Sequence, residues 1–204
     1  YTPAEPREIK PEADFTEEEL KSAAKLINSA KRPFVLAGGG VIAANAEKEI
    51  EALAAVLHAP VACTFMGLGG YDTSAPEFTG MIGMHGTKAS NEGINACDVL
   101  IAVGTRFSDR VISDAKKFAS GAKIVHIDVD PAEIRKNVGC AASLTGDAKI
   151  VLSALLPLLK QKKNSEWLEF IEGYKREFPT MDSEKRGLNP EYILKKIDEQ
   201  TNGE

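Results

Sequence analysis

Residues 99–103 form an unbroken apolar run, Val99-Leu100-Ile101-Ala102-Val103, that stops at Gly104. A strand apolar at every position has both faces buried, the condition of a central strand in a parallel sheet with helices on either side. At Gly104 the chain can turn sharply or let another group approach its backbone. Arg106, Asp109 and Arg110 follow at once. Ligands of open α/β sheets bind beyond the carboxyl ends of the strands. Two guanidinium groups there suit an anion, and arginine grips phosphate in bidentate fashion. The competing expectation is that both arginines pair with surface acids.

The chain before this run alternates strands and helices. Residues 1–15 carry three prolines and many charges, and read as an extended linker. Thr16 and Glu19 make a capping box, and Leu20, Ala23, Ala24 and Ile27 follow at helical spacing, up to a stop near Ala30 ahead of Pro33. A short strand, Phe34-Val35-Leu36-Ala37, runs into Gly38-Gly39-Gly40. Three glycines there let backbone N–H groups face a ligand, or simply make a strand-to-helix turn. Ala43 stands where the dinucleotide fingerprint needs its third glycine. The next helix is expected from about Asn45, with Ile50, Leu53, Ala54 and Leu57 buried.

Residues 60–64 give another strand, opening into the glycine-rich 65–70. Residues 71–86 read as a long irregular stretch, and loops of that length in a compact domain are commonly functional. His85 within it suits a catalytic base or a packing residue, and a metal role is disfavoured because no H-x-x-H partner exists. A helix over 87–97 leads back to the central run.

Residues 123–128 form a further strand, with acids at Asp128 and Asp130. An acid at a strand end holds a ribose hydroxyl pair or caps the next turn, and here Pro131 starts a short helix. His126 alternates with apolar residues and is expected in the core or at a sheet edge; His58 is expected as a dipole partner at a helix C-terminus. A last short strand spans 141–144. Asp147 then caps a helix running to about 159, with Ile150, Val151, Ala154, Leu155 and Leu158 inward. A charged break covers 160–163. An amphipathic helix over 165–178 carries Trp167, Phe170, Ile171 and Tyr174, and a final helix over 191–200 has no evident partner.

These elements predict an α/β fold: a doubly wound, mostly parallel sheet of about six strands with helices on both faces, over residues 16–161. Residues 162–204 read as a helical linker. At 43% hydrophobic and 27% charged residues the composition is that of a globular protein. A net charge of -5 argues against nucleic-acid and membrane-surface roles, and no apolar run approaches the ~20 residues of a membrane span. No signal peptide is visible, although Tyr1 is not a natural start. Cys63, Cys97 and Cys140 have no metal-type spacing and read as buried hydrophobes in a reducing cytoplasm. There is no P-loop Gly-Lys-Ser/Thr and no G-x-S-x-G. Glycine exits, two arginines and strand-end acids fit a nucleotide with a diphosphate.

With these residues in hand, the chain resembles the central domain of the acetolactate synthase (acetohydroxyacid synthase) family, thiamine-diphosphate enzymes of branched-chain amino-acid synthesis. The matching segments are Gly38-Gly39-Gly40, Thr64-Phe65-Met66-Gly67-Leu68-Gly69, Gly83-Met84-His85-Gly86, residues 104–111, His126-Ile127-Asp128 and Gly146-Asp147, in the family's order. The resemblance implies a DHS-like NAD/FAD-binding fold that holds FAD in a structural role. It implies Gly38, Gly39, Gly40 and Arg106 at the diphosphate, with Gly104 also among the cofactor-binding residues. Thr64, Phe65, Met66, Ile82, Gly83, Met84 and His85 would lie along the ribityl and flavin portion, with Arg110 and Val111 in the same cleft. Asp128 and Val129 would meet the adenosine ribose, and Asp147 and Ala148 the adenine.

One departure stands out: FAD-dependent members carry two acids between the Phe and the second Arg, and the first is Ser108 here. Thiamine diphosphate and Mg2+ are implied in the parent enzyme, outside this chain. Gly146-Asp147-Ala148 has Ala148 where the G-D-G start of the thiamine-diphosphate motif needs a glycine. The chain alone is therefore expected to be inactive. The resemblance further implies missing N- and C-terminal domains, a homo-oligomer, a regulatory subunit and a cytoplasmic enzyme. The competing expectations are an NAD- or ADP-binding module and the central domain of a related carboligase or decarboxylase, such as glyoxylate carboligase.

Overall fold

The computed structural model describes residues 13–180 and 189–201. In chain order its elements are β1 (Ala13–Asp14), α1 (Glu17–Ser29), β2 (Pro33–Ala37), α2 (Gly39–Ala43), α3 (Glu47–Leu57), β3 (Val61–Cys63), β4 (Phe78–Met81), α4 (Lys88–Ala96), β5 (Val99–Val103), α5 (Asp109–Ile112), β6 (Lys123–Asp128), β7 (Ala142–Gly146), α6 (Ala148–Leu155), α7 (Ser165–Glu177) and α8 (Pro190–Thr201).

The strands form one seven-stranded sheet in the order β1-β7-β6-β5-β2-β3-β4. Only β1 runs antiparallel, beside β7. From β2 the chain moves outward through β3 and β4, then returns to place β5 on the other side of β2. The order therefore reverses between β2 and β5, and this is the position where open α/β sheets receive ligands. Register sets Ala37 level with Cys63 and Val103, and Val103 level with Ile127. The chain thus leaves β2, β3, β5 and β6 along one edge.

Side-chain alternation along the central strands splits the core in two. Val35, Ala37, Ile101, Val103, Val125 and Ile127 share a cluster with the buried faces of α1, α3 and α6. Phe34, Leu36, Leu100 and Ala102 share the other with residues of α4 and α7. Each fully buried Leu, Ile, Val or Phe contributes about 1.5–3 kcal/mol relative to exposure. The expected doubly wound architecture is present, with seven strands where about six were expected.

Several local expectations hold in detail. Thr16 and Glu19 form the reciprocal capping box, and Ile50, Leu53, Ala54 and Leu57 are the buried face of α3. Asp147 caps α6 by accepting from the Lys149 and Ile150 N–H groups. His126 is fully buried.

Others need correction. The irregular 71–86 contains β4, an edge strand whose pattern is broken by Gly80 at φ +105 and by a register shift against β3. The inward face of α6 is Ala148, Val151, Leu152 and Leu155; Ile150 lies off that helical spacing and is exposed, and Leu158 is exposed where the chain tightens to a 3-10 turn at Leu156–Leu158. His58 takes a left-handed C-cap, and its Nδ1 accepts from the Asn164 N–H, so that nitrogen carries no proton toward the helix end.

The charged break is tied to the sheet domain. Lys162 donates to the Asn28 and Ala30 carbonyls, and burial lowers its pKa. Trp167 of α7 is buried and donates Nε1–H to the Pro33 carbonyl at 2.8 Å. By contrast α8 has no buried residue. Cys63 and Cys97 are buried, and burial pushes each thiol to about 12.

Candidate functional site

The exits of β2 and β5 meet backbone to backbone. The Gly38 N–H donates to the Val103 carbonyl at 2.8 Å, and the Gly40 N–H to the Gly104 carbonyl at 3.1 Å. A Cβ on Gly38 would lie 2.1 Å from the Gly104 oxygen, and one on Gly40 would lie 2.6 Å from the Gly104 Cα. Gly104 itself has φ +60, where glycine is unstrained. These glycines therefore let two loops close on one another. Above the junction lies a cleft of about 1060 Å³ along the carboxyl edge of the sheet. That size suits a large small-molecule ligand.

The wall is built from six strand exits. Gly39, Gly40, Ala43 and Ala44 come from α2. Thr64, Phe65 and Met66 follow β3, with Met81, Ile82 and His85 from the end of β4 onward. Gly104, Thr105, Arg106, Ser108, Arg110 and Val111 follow β5. Ile127, Asp128, Val129, Asp130 and Glu133 follow β6, and Gly146, Asp147 and Ala148 follow β7.

Charge is divided across this wall. Arg106 and Arg110 are exposed and form no ion pair among the described residues. The expectation that they pair with surface acids is therefore not met, and both remain available to an anion. On the β6 and β7 side stand Asp128, Asp130, Glu133 and Asp147. Glu133 is paired with Lys136 at 2.7 Å, and Asp147 is committed to its cap. Asp128 is buried; its Oδ1 accepts from the Asp130 N–H at 3.0 Å, and its Oδ2 lies 3.9 Å from His126 Nε2. Burial, the dominant influence, lowers the pKa of His126, so the ring is neutral at pH 7.

Most of the residues singled out in the sequence meet in this cleft; Gly38, Gly83 and Met84 lie outside its lining. Gly38 sits behind the wall in the loop junction. Gly83, at φ +99, is held by Asn91, which accepts from its N–H and donates to its carbonyl, each at 3.1 Å. Its position also packs it against the Arg110 carbonyl, which a Cβ would approach to 2.2 Å. The Met84 N–H donates to that same carbonyl at 3.0 Å, and its side chain is 62% exposed.

Ala43, Ala44, Met81, Thr105, Ile127 and Glu133 also line the cleft, although no ligand contact was expected of them. Their types are common, and only strand order places them here. Asp130 had a signal in its strand-end position. Among the described residues no group of three or more His, Cys, Asp or Glu is placed to hold a metal ion, and no helix is long and apolar enough to cross a membrane.

Residues 20–155 match the family described as thiamine pyrophosphate enzyme, central domain. Among curated proteins, the chain is 47% identical over 188 residues to a probable acetolactate synthase large subunit of Methanocaldococcus jannaschii, covering 90% of this chain and 32% of that protein. It is 40% identical over 189 residues to the acetolactate synthase large subunit of Corynebacterium glutamicum, covering 89% and 30%. The corresponding protein of Buchnera aphidicola is 33% identical over 191 residues, covering 91% and 33%. The chain thus spans about a third of the length of these relatives.

Proposed function

The chain belongs to the family of thiamine pyrophosphate enzyme central domains, and from that membership we propose that its cleft holds FAD as part of an acetolactate synthase large subunit. The observation that carries this is the pair of guanidinium groups, Arg106 and Arg110, that have no ion pair among the described residues, at the strand-order reversal, with the buried Asp128 across the same cleft. Cations at one end and acceptors at the other suit a ligand with a diphosphate between two polyol or ribose groups.

In this assignment Arg106 and the backbone of Gly39, Gly40 and Gly104 face the diphosphate. Asp128 and Val129 receive the adenosine ribose, with Asp147 and Ala148 beside the adenine. Thr64, Phe65, Met66, Ile82 and His85 run along the ribityl and flavin portion, with Arg110 and Val111 opposite. FAD here supplies structure and takes no net redox part. The residues of this chain bind and orient it, and the glycine junction keeps the wall rigid.

The whole enzyme condenses two pyruvates, or pyruvate and 2-oxobutanoate, with loss of CO2, on thiamine diphosphate held with Mg2+ outside this chain. It is cytoplasmic and works as a homo-oligomer with a regulatory subunit. Residues 16–161 are the nucleotide-binding domain. By itself the 204-residue chain is expected to form no acetolactate from pyruvate, and detectable product would contradict that.

Titration with FAD, NAD and ADP, followed by flavin fluorescence and thermal unfolding, tests the assignment. FAD is expected to be quenched and to raise the unfolding temperature most. A shift with NAD and none with FAD would favour a nicotinamide-binding module and remove the flavin.

A further inference from the structure

We propose that His126 is the positioning residue of the arginine loop: from inside the sheet it fixes the Thr105–Phe107 backbone so that Arg106 and Arg110 face the cleft. The inference rests on the anion-binding reading of that cleft, and adds to it a buried residue that lines no part of the wall.

His126 lies in the middle of β6, level with Ala102 of β5, and is fully buried. Its Nε2 is 2.9 Å from the Thr105 carbonyl oxygen. A carbonyl only accepts, so Nε2 carries the proton and the neutral ring donates it. Burial favours that neutral form. The next peptide is held from another side, where Asn137 Nδ2 donates to the Arg106 carbonyl at 3.1 Å.

Phe107 completes the grip. Its ring packs edge-on to the imidazole, with centroids 4.9 Å apart, and edge-on to Phe118 at 5.8 Å. Its φ is 49°, in the left-handed region. A bulky aromatic residue is strained there and stays only where its surroundings over-determine it. Here those surroundings are the buried pocket around its ring and the two held carbonyls on its N-terminal side. The reversal of the backbone at Phe107 leaves Arg106 exposed on one side, with Arg110 a turn further on. A flexible loop would have to order both guanidinium groups at the moment of binding, whereas a held loop presents them in advance.

The test compares the 204-residue wild type with His126→Gln and His126→Leu. A glutamine amide can replace the Nε2 donor, whereas leucine keeps apolar bulk and cannot donate. Two quantities are read. The first is hydrogen exchange at the amides of residues 105–110. The second is the ratio of ADP to adenosine affinity by calorimetry, which isolates the diphosphate contribution.

Leucine is expected to speed exchange in the loop and to lower the ADP preference, each about tenfold, with adenosine affinity unchanged. Glutamine is expected to stay within about twofold of wild type. Unchanged exchange in the leucine protein, a parallel loss of ADP and adenosine, or glutamine behaving as leucine would each overturn the proposal. If wild type binds ADP and not FAD, the flavin assignment fails and the positioning role of His126 stands. If wild type shows no preference for ADP, the anion-binding reading fails and the exchange result alone decides. Should the leucine protein not fold, 15N NMR of the wild-type ring decides, since an Nδ1–H tautomer is incompatible with donation to Thr105.

Discussion

At the exits of β2 and β5 the two backbones touch, with glycine at every point of contact. A few residues away on the same edge, the exits of β3 and β4 hold side chains out to solvent: Phe65 is 73% exposed, Met66 69% and Met84 62%. The first half of the cleft is fixed by main chain and has no room to adapt. The second half presents flexible apolar groups that cost little to rearrange. A ligand whose charged part is invariant and whose apolar part must be covered is served by that division. It also separates two kinds of mutational effect, stability at the packed glycines and affinity at the exposed side chains.

The largest expected effect is at the junction. Gly104→Ala places a Cβ 2.5 Å from the Gly40 Cα in a backbone at φ +60. Overpacking and left-handed strain together predict a loss of about 3 kcal/mol or more in chemical denaturation. A loss below about 1 kcal/mol would mean that the loops slide apart easily, and the contrast between the halves would collapse. Gly83→Ala, at φ +99 and 2.2 Å from the Arg110 carbonyl, is expected to cost about 2–3 kcal/mol by the same measurement. Gly69→Ala is the control: φ is +95 but nothing lies within 4 Å, so only the backbone penalty of about 1 kcal/mol remains.

Acid probes the junction from beneath. Burial lowers the His126 pKa below its ordinary 6.5, so the unfolded chain takes up that proton first as pH falls. The contribution of His126 is present above pH 6.5 and is lost as pH drops below it, which lowers the unfolding temperature. His126→Gln should flatten that part of the temperature–pH profile, and an unchanged profile would assign the acid sensitivity elsewhere. The smallest stability effect belongs to the exposed side chains of the β3 exit. Phe65→Ala and Met66→Ala should stay within about 0.5 kcal/mol in denaturation while weakening flavin binding severalfold. A large stability loss there would show that these side chains are also structural.

How much of this was legible depends on range. The capping box at Thr16, the buried face of α3 and the Asp147 cap came directly from sequence, because each is decided within one turn of helix. The inward stripe of α6 leaves out Ile150, which is off the spacing of Ala148, Val151, Leu152 and Leu155, and Leu158, where a change to 3-10 geometry rotates the helix face. β4 was hidden because a short edge strand with Gly80 inside it gives no sustained alternation. The cleft residues that carry charge or glycine were readable as types. Glu133 and Ala44 were not, since nothing local distinguishes them from other surface residues.

The sequence by itself determined the layers of this protein: an all-apolar central strand must be covered on both faces, and the helices that cover it announce their buried stripes. It also determined that glycines, arginines and acids would sit at strand ends. Tertiary structure alone decided that β5 lies beside β2, so that Gly38, Gly40 and Gly104 serve each other and Gly39 and Gly40 border the cleft. It decided that Arg106 and Arg110 find no acid partner among the described residues, and that His126 reaches the Thr105 carbonyl. The physical reason is that periodicity and caps are set by neighbours in the chain. Strand order, close backbone approach and ion pairing are set by residues tens of positions apart, whose meeting no local pattern records.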